Sequence, residues 1–199
     1  MPEPRATDTG NPGRRSLSVN RILFPLDVLY QSAGIAPPTA RRVSPDQVPP
    51  PYRTLLVHEN SMTRTLERQF GGPISLRTLS TLRKGSSYLR RVLLVRASTG
   101  EPVAMGAARI DLSALTPRLQ ARIVRNEVPL GRVLHDAGVD YRSRPRAFLA
   151  VTPHQELMGV FWMPRPRTLY GRRTDMIYRG RRIGEVVEIL SRGLIRSRR

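Results

Sequence analysis

Two stretches that alternate strand-forming residues around a tight turn constrain this chain more than anything else in it. Arg173 to Tyr178, an Arg179-Gly180 turn, and Arg182 to Leu190 read as an antiparallel hairpin, with β-branched residues concentrated at 183–189. Ser87 to Arg96, a turn at Ser98-Thr99-Gly100, and Val103 to Ile110 read as a second hairpin. Ile74 to Leu82 is a further strand whose alternation Leu79 breaks, and Ala147 to Val151 is another. Helical signals lie early and in the middle. Tyr52 to His58 follows three prolines, and Met62, Leu66 and Phe70 form one face of a helix that Gly71-Gly72 ends. Thr116-Pro117 opens another helix with Leu119, Ile123 and Val124 inside, and Arg132 to Asp136 forms one turn. Strands joined by tight turns, with helices clustered apart from them, predict an α+β fold on an antiparallel sheet.

The chain has 199 residues, ample for a hydrophobic core. Prolines recur from Pro2 to Pro51 and deny the first 50 residues long helices or central strands. Only Ile22-Leu23-Phe24 and Val28-Leu29-Tyr30 offer apolar anchors there. Residues 1–50 therefore read as a Pro/Arg-rich extension lying along the surface or partly disordered, 51–192 as the folded domain, and 193–199 as a basic tail.

The formal net charge is +19, and of the 34 basic residues only Lys84 is lysine. Such a charge points toward nucleic acid or an anionic surface. Phosphate-binding proteins commonly use both basic residues, however, so near-total replacement of lysine by arginine reads as a GC-rich coding bias of a bacterial kind. The arginines are scattered, and aromatics make up 6%, too few for a stacking platform. Nucleic acid is accordingly not the expected partner. Without cysteine there is no disulfide, thiolate metal site or cysteine nucleophile. No apolar run has the roughly 18 residues of a membrane span, and the first residues lack the apolar middle of a signal peptide. The expectation is a cytoplasmic monomer with no membrane contact.

No dinucleotide, P-loop or serine-hydrolase motif occurs. His58, His135 and His154 lack ligand spacing, so neither metal nor cofactor is expected. The arginine doublets carry more information. In a strand, two consecutive arginines point to opposite faces, and the inward one needs a carboxylate or an anionic ligand. Arg90-Arg91 lies in one strand, and Glu185 and Glu188, of opposite parity, lie in another. An internal Arg–Glu pair is one reading of them. A ligand cavity in which arginine grips a carboxylate is the other.

Leu55-Leu56-Val57-His58-Glu59-Asn60-Ser61-Met62-Thr63 resembles the Leu-Leu-x-x-(Asp/Glu)-x-Ser-Met-Thr segment of the chorismate pyruvate-lyase family. Ser87-Tyr88-Leu89-Arg90 and Gly100-Glu101-Pro102 look like its central hairpin. Pro129-Leu130-Gly131-Arg132, Gly171-Arg172-Arg173 and Val187-Glu188-Ile189-Leu190 recur in the same order. The resemblance spans about residues 52–192. It implies a six-stranded antiparallel sheet with helices on one side, an enclosed site beneath a helical flap, and elimination of pyruvate from chorismate to give 4-hydroxybenzoate without cofactor. By position it implies that Arg90 binds the ring carboxylate and Glu188 sits near the 4-oxygen as acid/base. Met62 would pack on the ring, Leu130 would offer backbone polar groups, and Gly131 would permit close approach. The strand carrying Glu188 is one residue longer than in some members of the family. A slip of one residue would turn Glu188 to the other face and bring in Glu185, grouped with Ile183, Val187 and Ile189.

Residue by residue, Met62 and Leu130 also read as plain core, and Arg172 and Arg173 as solvated or structural. Three functions follow: a carbon–oxygen lyase acting on a chorismate-like dicarboxylate, which the positive charge would attract; a non-catalytic module binding a small aromatic acid, of the kind used as effector domains in transcription regulators, although no helix-turn-helix precedes it; and a basic nucleic-acid-associated protein.

Overall fold

The computed structural model describes residues 21–193. Seven antiparallel strands form one sheet: β1 (Thr39–Val43), β2 (Ile74–Lys84), β3 (Ser87–Arg96), β4 (Pro102–Asp111), β5 (Tyr141–Thr152), β6 (Leu169–Tyr178) and β7 (Arg181–Leu190), in the order β1-β5-β6-β7-β4-β3-β2. Both predicted hairpins are present as neighbours, β3 with β4 and β6 with β7. The α+β class and antiparallel sheet are those expected, with β1 added as a seventh strand; helices pack on both faces of the sheet, not on one side as expected.

Strand parity divides the core. Leu89, Leu93, Met105, Ala107, Val187 and Ile189 point to one face, where α1 (Leu26–Ser32) and α6 (Gln155–Val160) cover them. Val92, Leu94, Ala104, Ala108 and Leu190 point to the other. That face is covered by α2 (Tyr52–Leu56), α3 (Met62–Phe70), α4 (Pro117–Val124) and α5 (Leu130–Asp136), and it holds the cavity described below. Helix α3 ends on Gly71 at φ 63°, a left-handed cap that glycine adopts without a Cβ penalty.

The extension reads differently in three dimensions. Leu26, Leu29 and Tyr30 are buried in the reverse-face core, and β1 pairs with β5 from Thr39↔Thr152 to Val43↔Phe148. Residues 21–50 are thus packed into the fold rather than draped on it; residues 1–20 and 194–199 lie outside the described residues. Proline density was a poor guide here because seven residues of α1 and five of β1 fit between the prolines. Apolar anchors spaced as in Leu26, Leu29 and Tyr30 are enough to bury a two-turn helix.

Two bulges set which side chains face the cavity. Thr78 pairs with Val92 and Ser80 with Arg91, so Leu79 is the extra residue and turns toward the reverse-face core. Gly184 pairs with Met176 and Arg182 with Ile177, so Ile183 is unpaired and joins the cavity-face cluster. The first bulge occupies the position where simple alternation fails in the sequence. No described helix is long and apolar enough to cross a membrane.

Candidate functional site

The bulge at Ile183 leaves that residue unpaired between Arg182 and Gly184. Beyond it the strand keeps a single register: Glu188 opposite Gly106 of β4 and Arg172 of β6, Glu185 opposite Arg109 and Asp175. Glu188 accordingly faces the cavity, while Glu185 faces the opposite side. There Glu185 accepts from Arg109 (3.1 Å) and Arg173 (2.9 Å), with Arg182 at 2.8 Å. Burial alone would raise its pKa, but the Arg173 hydrogen bond, the Arg182 charge and the Arg109 contacts outweigh burial and hold it below the usual carboxylate range. The grouping of Glu185 with Ile183, Val187 and Ile189 holds for Val187 and Ile189 only.

Arg90 and Arg91 are both buried, one on each face, as consecutive strand residues must be. Arg91 turns to the reverse face, donates to Glu156 at 3.0 Å and lies 4.4 Å over the Tyr30 ring. Arg90 turns into the cavity and is 2% exposed. Its Nη1 donates to the Asn126 side-chain oxygen at 3.1 Å and to the Ile123 carbonyl at 3.4 Å. No described carboxylate lies within ion-pair distance of it. Burial pulls its pKa down to about 10, which still leaves it charged at neutral pH. Asn126 holds Arg90 from a left-handed backbone conformation (φ 57°) just past α4, and its amide donates to the Tyr88 hydroxyl at 2.6 Å. Asparagine tolerates this conformation better than most residues. The role of Asn126 was not legible in the sequence, where it is a lone polar residue in a connection.

The cavity is a consequence of the strand between the two charged positions. β4 presents Gly106 and Ala108 upward, with Ala108 opposite Arg90 and Gly106 opposite Glu188. Small side chains there leave a void of about 70 Å³, bounded above by Met62 of α3 and Leu130 of α5 and walled by Val92, Met176 and Val186. A cavity of ~150 Å³ is known to admit benzene, so a ring enters this one only when Met62 or Leu130 gives way. Thr174, also on the cavity wall, has a buried hydroxyl with no hydrogen-bond partner. The five positions singled out by sequence, Met62, Arg90, Leu130, Gly131 and Glu188, therefore come together around one enclosed space.

Gly131 closes the space on its outer side. A Cβ there would stand 2.6 Å from Ser61 Oγ and 3.0 Å from the Tyr141 hydroxyl, so a larger residue would have to displace the Ser61 side chain for α5 to approach the start of α3 this closely. Ser61 bonds to the Tyr141 hydroxyl, and its side chain does not cap α3. Arg132 and Glu67 form an ion pair across the same two helices. Ser61, Gly131 and Tyr141 also line an open cleft of about 1010 Å³ on the outside, so they separate solvent from the cavity.

Arg172 is 1% exposed and the largest fully buried side chain. Its Nε donates to Glu188 at 2.7 Å, Nη1 to the carbonyls of Leu56 (3.3 Å) and His58 (2.8 Å), and Nη2 to the Asn60 carbonyl at 3.1 Å. The reading of Arg172 as structural holds, and the alternative of a solvated residue does not. Its partner is the loop between α2 and α3, a pairing that no local sequence signal announces.

Gly106 supplies a direct test of the void. A Cβ added at this position would meet Val92 Cγ2 at 3.4 Å, ordinary contact. Gly106→Val should therefore fill the cavity without unfolding the sheet, and a thermal melt should find the midpoint within a few degrees of wild type.

No family model matches the sequence, and no curated protein matches it. Solved structures do resemble the fold. PhnF from Mycobacterium smegmatis superposes with a TM-score of 0.50 at 12% identity, over 69% of this chain and 66% of PhnF. A domain named as the ligand-binding domain of a putative GntR-family transcriptional regulator from Bordetella bronchiseptica gives 0.43 at 16% identity, over 60% and 85%. A GntR-family transcriptional regulator from Bacillus cereus gives 0.44 at 11% identity, over 60% and 92%. The fold is the α+β arrangement on an antiparallel sheet that was expected. The expectation of a carbon–oxygen lyase is corrected by the state of its expected acid/base, Glu188, which is ion-paired with Arg172 at 2.7 Å instead of standing free.

Proposed function

We propose that this chain is a non-catalytic binding protein for a small aromatic acid, held in the cavity between the sheet and helices α3 and α5. One observation carries the reading. Arg90 is a buried cation that faces an enclosed, mostly apolar void with no carboxylate partner among the described residues. Burying an unpaired charge is costly, and an anionic ligand removes the cost by supplying a planar partner to the guanidinium fork. Val92, Leu94 and Met176 suit the body of a ring, and the unpartnered Thr174 hydroxyl and Glu188 suit a hydrogen-bonding group at its far end. The chain's positive charge favours approach of an anion.

The test is a calorimetric titration with 4-hydroxybenzoate and with its methyl ester, which keeps the ring and hydroxyl but loses the charge. The acid should bind and the ester should bind at least about tenfold more weakly, since a hydrogen bond to a charged group contributes ~1.5–3 kcal/mol. Equal binding of the two, or none by either across a panel of hydroxylated benzoates, would refute the reading.

A further inference from the structure

The loop from Val57 to Ser61, between α2 and α3, is held from beneath by a single side chain. Arg172 reaches three carbonyls in and beside the loop, those of Leu56, His58 and Asn60, and also donates to His58 Nδ1 at 3.2 Å. The Asn60 backbone N–H donates to the same Nδ1 at 3.1 Å. Two donors converge on Nδ1, so that nitrogen carries the lone pair and the proton sits on Nε2, which donates to the Leu55 carbonyl at 2.8 Å. The neutral imidazole is thus the keystone of the loop.

We propose that Arg172 and His58 form a pH-released hinge for α3: while His58 is neutral the loop clamps α3 over the cavity, and protonation of His58 frees it. A proton on Nδ1 would face the Asn60 N–H and the Arg172 guanidinium, two donors with nothing to accept it, and would place two positive charges in contact. The charges acting on His58 come from three elements: Arg172 on β6, Glu188 on β7 and Arg68 on α3, with exposed Glu59 next in the chain. Burial first, and then the Arg172 charge, lower the His58 pKa from the ordinary 6.5; the Leu55 hydrogen bond and Glu188 oppose them without prevailing. A histidine whose folded pKa is depressed contributes full stability above its unfolded value and loses it as pH falls. The hinge is accordingly at full strength above pH 6.5, weakens as pH falls below that value, and is released as pH passes through the lower pKa of the folded state.

Release matters to the cavity because α3 begins where the loop ends, and Ser61, Met62 and Thr63 form its roof. Arg172 also holds Glu188, so the residue that fixes the roof fixes a polar group of the cavity as well. The consequence for ligand retention rests on the binding reading above; the hinge itself does not.

The test is amide hydrogen exchange over residues 57–66 of the ligand-free protein at pH 7.5 and 5.5, corrected for the intrinsic pH dependence of exchange. Protection should fall roughly tenfold at the lower pH, the scale of a buried group left without its partner. His58→Gln, whose amide supplies an acceptor and a donor but does not titrate, should abolish the pH dependence. Arg172→Lys should lower protection at both pH values. Unchanged wild-type protection between the two pH values, or a pH dependence that persists in His58→Gln, would overturn the hinge. With 4-hydroxybenzoate as the probe, dissociation should be faster at pH 5.5 than at 7.5 in wild type only. If that acid fails to bind while exchange behaves as stated, the ligand reading fails and the hinge stands.

Discussion

Replacing Arg90 by methionine should abolish binding of an aromatic acid while leaving the fold as stable as before, or more so. The two effects have one origin. In the ligand-free protein Arg90 has lost its water and gained only Asn126 and a long contact to the Ile123 carbonyl. The depression of its pKa to about 10 corresponds to about 3 kcal/mol of unfavourable burial of the charged form. Methionine has a comparable length, fills the same space and removes that charge, at the cost of one hydrogen-bond partner for Asn126. With ligand present the balance reverses, because the carboxylate then faces an apolar site with no counter-charge. Truncating one partner of a buried charge pair costs about 2–5 kcal/mol, a weakening of roughly thirtyfold to several thousandfold. Calorimetric titration with 4-hydroxybenzoate and a thermal melt of each protein check both halves. A thermal midpoint lowered by more than about 5 °C, or binding within threefold of wild type, would show that Arg90 is a structural residue.

Arg172→Ala is expected to do the opposite and to be the most destabilising single change at the site. Removing the side chain leaves the Glu188 carboxylate without its partner and withdraws hydrogen bonds from three carbonyls. Breaking a buried ion pair by taking one member costs about 3–5 kcal/mol. For a chain of this size that is a fall in thermal midpoint of about 6–20 °C. Adding Glu188→Ala should recover part of the loss, since the orphaned charge then disappears. The double variant should thus be less destabilised than the sum of the two singles, measured by urea denaturation. Additive losses would mean that the pair contributes nothing and that the carbonyl contacts alone account for the effect.

The contrast between these two arginines shows how far residue type carries. Arg90 and Arg172 are each half of a doublet in a strand, and sequence parity requires one inward arginine from each pair. Parity does not say which inward arginine finds a carboxylate. Arg172 meets Glu188 because β6 and β7 are neighbours in register; Arg90 meets none because β4, between it and Glu188, offers Gly106 and Ala108. The resemblance carried by the Ser-Met-Thr and Pro-Leu-Gly-Arg segments brought Arg90, Glu188, Met62, Leu130 and Gly131 forward as one group, and the fold does assemble them around one cavity. It also carried the expectation of catalysis, which the paired state of Glu188 does not support.

By itself, the sequence determined six of the seven strands, two of the hairpins and the α+β class, because turn chemistry and side-chain periodicity act over a few residues and are written in order along the chain. It also marked Leu79 as a place where alternation fails, and the resemblance marked the stretch before Glu185 as one residue longer than in some members of the family. The tertiary structure decided that both places hold bulges and that residues 21–50 belong to the core. It also decided that Glu188 rather than Glu185 faces the cavity, and that one buried arginine binds the α2–α3 loop while another is left for a ligand. Each of these depends on which distant strand lies alongside. A neighbour's register and side-chain size are set by packing across the sheet, not by the residues next in sequence.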